Sequence, residues 1–227
     1  MDLEIHGVKL KAEVIRSNRR TISVAIVGRG LLKVRCAPRT SEQAIVKLIE
    51  QHWDFFVRKL SDYSEVSEIS FENNSVVMFK GKKLKVVETL GLSKPMLLGE
   101  DQLLVLPRLN SKERKEAFVR LCQREARKLI TRLVEKYINV TGLTYNDLRL
   151  KDTSSRWGSC SSDKNLNFNW RLILAGEEMV EYVVVHEVCH LRHANHGIQF
   201  WQMVENLYPN YRIAMRWLKR HGHSLVV

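Results

Sequence analysis

His186-Glu187-Val188-Cys189-His190 sets two imidazoles four positions apart, with a carboxylate directly after the first. Val180, Val183, Val184 and Val185 make the approach apolar, and the stretch predicts a buried helix over 177–193 with Glu177, Glu178 and Glu181 near its positive end. On a helix, positions i and i+4 lie on the same face. Two rings at that spacing can grip one Zn²⁺ at about 2.0–2.1 Å each. Glu187, beside the first ring, is placed to take a proton from a metal-activated water. The pattern is H-E-x-x-H, which points to zinc hydrolases. The competing account is a helix with two buried, hydrogen-bonded histidines.

A zinc enzyme needs a third protein ligand and an open fourth position. His193 shares the face of His186 and His190. A straight helix rising about 1.5 Å per residue puts its Cα roughly 10 Å from that of His186, and three rings along one line converge poorly. His196 is better placed if the helix stops first, and Asn195 and Gly197 tolerate the positive φ of such a stop. Glu205, on the next predicted helix, is the third option, as in sites of two histidines and one glutamate. The spacing His186…His190…His196 equals that of H-E-x-x-H-x-x-G-x-x-H, except that His193 stands where that pattern has glycine. For oxyanion or substrate contacts, Arg171, His193, Tyr208 and Tyr211 are all candidates, and the sequence does not choose among them.

The chain has 227 residues, 44% hydrophobic and 27% charged, enough for one domain or two small ones with a proper core. No apolar run reaches membrane-span length, and Met1-Asp2-Leu3-Glu4 lacks the start of a secretory signal. Cys36, Cys122, Cys160 and Cys189 are scattered without a C-x-x-C pair, so reduced thiols and a cytoplasmic location are expected. Cys160 and Cys189 read as buried small hydrophobes. The net charge of +12 splits into +5 over 1–110 and +7 over 111–227. Such a field favours anionic partners, nucleic acid first and acidic protein segments second. The basic residues of 112–132 are interspersed with Glu113, Glu116 and Glu125 and read as a solvated helix face.

Residues 1–108 read as a small, β-rich α+β domain, and 109–227 as a second domain. In the first, 21–27 and 31–36 form a hairpin about Gly28-Arg29-Gly30. A helix capped by Thr40 or Ser41 runs to about Leu60, and more strands are expected at 75–80, 82–89 and 102–107, separated by Gly81, Gly91 and Gly99. In the second, Ser111 caps a helix to about Val140, with Phe118, Leu121, Cys122, Ile130, Leu133, Val134 and Tyr137 as its buried stripe. Strands are expected at 148–159 and 165–174, then the helix of His186, one through Phe200, Trp201 and Val204, and a last one after Pro209. Trp157, Trp170, Phe200 and Trp201 read as core. No internal repeat is evident.

Ser155-Arg156-Trp157-Gly158-Ser159-Cys160-Ser161, Asn169-Trp170-Arg171-Leu172, Val184 through Leu191, Asn195-His196 and Phe200-Trp201 together resemble the YgjP-like metallopeptidase family, relatives of the SprT-like proteases within the zincin fold. Arg19-Arg20-Thr21-Ile22-Ser23 and the helix bearing Trp53 are similar to that family's opening segment. The resemblance implies an α+β chain whose zincin-like helix/sheet catalytic domain comes after the β-rich one. It also implies one Zn²⁺ per chain on His186, His190 and His196, and Glu187 as general base toward a peptide or protein substrate. Val188 stands where the family commonly has leucine, and Ala175-Gly176 where Ala-Pro is usual; neither is a proposed ligand. Two other functions compete: a nucleic-acid-associated protein with a structural zinc, and a protease acting on DNA-bound proteins.

Overall fold

The computed structural model describes residues 1–28, 30–64, 70–89, 96–98, 103–107, 110–153, 156–225 and 227; for 27, 28, 59, 61–64, 96–98, 103 and 105–107 it describes the backbone path alone. Arg29 of the expected turn, Gly91, Gly99, Gln102, Arg108 and Ser155 lie outside the described residues. The chain divides into two units, Met1–Ser67 and Glu68–Val227.

The first unit is built on a sheet in the order β1 (Asp2–Ile5), β2 (Val8–Arg16), β4 (Leu31–Cys36), β3 (Ser23–Gly28). β3 and β4 are the expected hairpin. β1 and β2 form another, turning on His6 and Gly7, both at positive φ (49° and 76°), the two-residue turn whose twist suits paired strands. β2 runs parallel to β4, Lys11 opposite Leu31 through Arg16 opposite Cys36. Leu10, Ala12, Leu32, Val34 and Cys36 alternate onto one face and are buried with Ile45, Ile49 and Phe56. The single helix expected to Leu60 is in fact two, α1 (Glu42–Gln51) and α2 (Trp53–Ser64). Ser41 Oγ accepts from Ala44 N–H at the first cap (3.2 Å). The carbonyl of His52 then starts a fresh ladder by accepting from Phe55 and Phe56.

The second unit opens with a sheet ordered β5 (Val76–Phe79), β6 (Lys82–Thr89), β8 (Leu103–Pro107), β7 (Met96–Leu98). Its pairings are antiparallel, parallel, antiparallel, the same succession as in the first sheet. Lys80 and Gly81 repeat the two positive φ angles (50° and 75°) of His6 and Gly7. The absence of an internal repeat read from the sequence is therefore corrected: turn geometry and strand order repeat, and Gly7-Val8-Lys9-Leu10-Lys11 returns as Gly81-Lys82-Lys83-Leu84-Lys85.

The expected division at 108/109 differs from the observed one after Ser67, for a packing reason. Val77, Phe79, Leu84, Val86 and Leu104 share one core with the long helix that comes next in the chain. The β5–β6 turn is also bound to the chain before the histidine helix. Lys80 and Gly81 donate to the carbonyls of Ile173 and Leu174 (2.8 and 3.1 Å), and a Cβ on Gly81 would meet Gly176 Cα at 2.9 Å.

That long helix, α3 (Ser111–Thr141), is capped by Asn110 rather than Ser111. Asn110 accepts from Glu113 N–H (3.0 Å) while Glu113 accepts from Asn110 N–H (3.1 Å). Gly142, at φ 66°, ends it, and the expected stripe is buried. Its cations face acids: Arg132 pairs with Glu177, Lys136 with Glu181 (2.7 Å) and Lys128 with Glu125 (3.5 Å).

The expected strand pair is three strands, β9 (Asp147–Lys151), β10 (Gly158–Cys160) and β11 (Asn165–Asn169), in the order β10-β11-β9. β11 stops five residues early because the Asn169 side chain accepts from Arg171 N–H (3.0 Å) and caps a 3-10 helix over Trp170–Leu174. The residues there alternate as a strand would, but Trp170, Leu172, Ile173 and Leu174 are all buried. Helices α4 (Glu177–His190), α5 (Ile198–Leu207) and α6 (Tyr211–His221) complete an α+β architecture. No helix among the described residues is long and apolar enough to cross a membrane.

Candidate active site

His186 and His190 lie in the last turns of α4, which ends at His190 and not at His193. Leu191, Arg192 and His193 donate back to the carbonyls of Val188 and Cys189. The chain then reverses toward α5 without a left-handed residue. Gly197 sits at φ −76°, so the positive φ expected at Asn195 or Gly197 is not used. This reversal carries His196 back to the helix. Its Nε2 lies 3.0 Å from His186 Nε2 and 3.2 Å from His190 Nε2. Phe200, fully buried, backs all three rings, with centroids 4.6–4.9 Å away. Among the described residues these three histidines form the one group of potential metal ligands. The ring of His193 and the carboxylate of Glu205 are not in it.

The donor set fits a divalent cation. Tetrahedral ligands at about 2.0–2.1 Å stand roughly 3.3 Å apart, close to the spacings observed. His190 Nδ1 donates to the His193 carbonyl (2.9 Å), which leaves its Nε2 unprotonated and aimed inward. Thus His193 serves through its backbone. Burial first, then His190 and His196, pushes the pKa of His186 down to about 3, so that ring is a neutral donor. Burial likewise lowers His190, against its bond to His193.

Glu187 is 5% exposed. Burial raises its pKa to about 8, opposed by the Arg156 guanidinium and by a hydrogen bond from the Cys160 backbone N–H. A cation on these neutral imidazoles would favour the ionised form of the Glu187 carboxyl beside them, the form that can accept a proton. Gly158 lies against Glu187, where a Cβ would fall 2.5 Å from Oε1 and 2.6 Å from Cγ. Trp157 accepts from Asn169 N–H and Ser161 donates to the Asn165 carbonyl, so the odd positions face β11. By alternation, Gly158 and Cys160 turn their backbone groups the other way, toward Glu187.

The remaining candidates separate. Tyr211 is buried, stacks on Trp201 (5.5 Å) and borders a cavity of about 680 Å³ beside His196, together with Glu205. Arg171 is held away by two bonds to Asp152 (2.7 and 3.0 Å) and lies over the Trp170 ring. Tyr208 lies among Glu181, Glu178 and Lys136 at the far end of α4. Trp170 and Phe200 are core as expected, whereas Trp157 and Trp201 are half-buried and line cavities at the histidines. Sequence reasoning missed Tyr182, Gly158, Met215 and Lys219. Tyr182 was open to inference, since it stands four positions before His186 on the same face. Met215 and Lys219 reach the site only through the packing of α6.

Such a site places the chain among the metal-dependent peptidases. More narrowly, it belongs to the YgjP-like family: the model of the YgjP-like metallopeptidase domain matches residues 20–221. The chain is similar to two archaeal structures. One is the metallopeptidase zymogen jannalysin of Methanocaldococcus jannaschii, 21% identical over 38% of this chain and 93% of that one, with a TM-score of 0.35. The other is the zymogen abylysin of Pyrococcus abyssi, 19% identical over 40% and 93%, with a TM-score of 0.37. No curated protein matches.

Proposed function

We propose that the chain is a zinc peptidase, with His186, His190 and His196 as ligands of one Zn²⁺ and Glu187 as general base. The observation that carries this reading is the meeting of three imidazole Nε2 atoms beside a buried carboxylate. When bound, the dication supplies Lewis acidity, polarising an amide carbonyl and acidifying water toward a pKa of about 7. Glu187 takes the proton of the attacking water and returns it to the leaving amine. Arg156 and the Cys160 N–H hold the carboxylate in place against Gly158. The polypeptide substrate pairs with an edge of the small sheet. Of the two outer strands, β9 and β10, the one that lies against Glu187 is β10, so the pairing edge is β10. The four cysteines are free, which suits a reducing compartment, and we place the chain in the cytoplasm.

The test is metal analysis with casein hydrolysis. The purified protein carries one zinc, loses turnover to a chelator and regains it with added Zn²⁺. Turnover that survives complete zinc removal would overturn the reading. Gly158→Ala makes a finer test. Its Cβ displaces Glu187, and a shift of about 1 Å costs roughly a hundredfold in kcat. Zinc content stays unchanged. Wild-type kcat in that variant would show that the carboxylate does not need its present position.

A further inference from the structure

The charge of +12 is unevenly matched. On α3, Lys128, Arg132 and Lys136 stand beside carboxylates. On α6, Arg212, Arg216, Lys219 and Arg220 are exposed on a helix with no acidic residue. Arg212 donates to the Tyr211 hydroxyl (3.0 Å) and faces Glu205, while Arg216 donates to the Arg212 carbonyl (3.2 Å). Lys219 has no hydrogen-bond or ion-pair partner among the described residues.

Lys219 also borders a cavity of about 310 Å³ that opens beside His186 and Glu187. The other walls are Trp157, Tyr182, Val183, Met215 and Leu218, so the interior asks for an apolar side chain. An exposed ammonium at the mouth is left for the residues flanking that side chain. On a flat surface such a charge contributes little. At the rim of a low-dielectric cleft it orients an anionic partner more strongly.

Resting on the peptidase reading, we propose that Lys219 is a specificity-determining residue, selecting peptides in which a large apolar side chain fills this cavity and acidic residues flank it. Of the two anionic partner classes the net charge admits, the geometry favours acidic polypeptide. Lys219 shares a helix face with Arg212 and Arg216, but unlike them it has no partner among the described residues and borders a pocket of side-chain size beside His186 and Glu187, which a side chain fills and a phosphate backbone does not.

The test uses two fluorescein-labelled peptides with a central Phe-Leu pair, flanked on both sides by Glu or by Lys. Binding is read by anisotropy on zinc-loaded Glu187→Gln protein, and cleavage on the wild type. The Glu-flanked peptide binds about tenfold tighter at low salt, and the preference shrinks as salt rises. Adding Lys219→Glu brings the ratio to about one or below. Arg220→Glu, the same charge change outside both cavities, leaves it standing. An unchanged ratio with Lys219→Glu, or equal losses from both substitutions, overturns the proposal. So does a DNA duplex that displaces the acidic peptide through Lys219 and binds tighter than it. Selective binding without cleavage would sink the peptidase reading and leave this one; cleavage without selectivity would do the reverse.

Discussion

Glu187→Gln lowers casein hydrolysis by about 10²–10⁴-fold, the range a positioned general base contributes, while the protein still binds one zinc. Gln fills nearly the same volume against Gly158, so the packing around α4 survives. What disappears is the ability to accept a proton from the attacking water. The fold should not suffer either, because a carboxyl that burial drives to a pKa of about 8 gains nothing from its charge there. Atomic absorption, thermal melting and kcat on the same preparation separate these quantities. Hydrolysis at the wild-type rate would remove Glu187 from the chemistry, and loss of zinc would make the residue a ligand or its support.

His196→Ala weakens zinc binding by roughly a hundredfold or more and abolishes turnover. Tetrahedral sites bind zinc with about 10–16 kcal/mol over four ligands, so one ligand is worth roughly 3 kcal/mol. His193→Ala is the informative partner. His193 meets the site through its carbonyl, which accepts from His190 Nδ1, so deleting its ring leaves that bond available. Zinc affinity in His193→Ala therefore stays within a few-fold of wild type. Competition with a chromogenic chelator measures both variants. Equal losses in the two would show that the histidines of the reversal act together and that His196 has no separate place among the ligands.

Much of the fold was legible because it obeys local periodicity. The alternation through β3 and β4, the stripe of α3 from Phe118 to Tyr137 and the valines before His186 all announce their elements at periods of two or 3.6 residues. The errors fall where the signal is ambiguous or non-local. Trp170 through Leu174 alternates like a strand, yet Asn169 caps it into a 3-10 helix in which Arg171 alone is not buried. His52 interrupts what reads as one helix, and nothing in its residue type announces the break. The β1–β2 hairpin was hidden because His-Gly is a weak turn signal compared with Asn-Gly. The seam after Ser67 escaped notice because β5 to β8 look as independent in sequence as β1 to β4. Their apolar face, packed into the core of α3, and the bonds of Lys80 and Gly81 to Ile173 and Leu174 join them to the histidine-bearing unit.

By itself, the sequence determined that His186 and His190 share a helical face with Glu187 next in line, since i and i+4 spacing is a property of the helix alone. It also determined that this helix is buried. Tertiary structure brought His196, already favoured by its spacing, to the other two rings, and it alone decided which strand edge lies against Glu187 and which cation of α6 borders the cavity. His196 returns through a chain reversal, Gly158 arrives from the outer strand of the three-stranded sheet, and Lys219 comes from a helix more than twenty residues on. Contacts of that kind depend on how separate elements pack, and no repeating pattern along the chain encodes them.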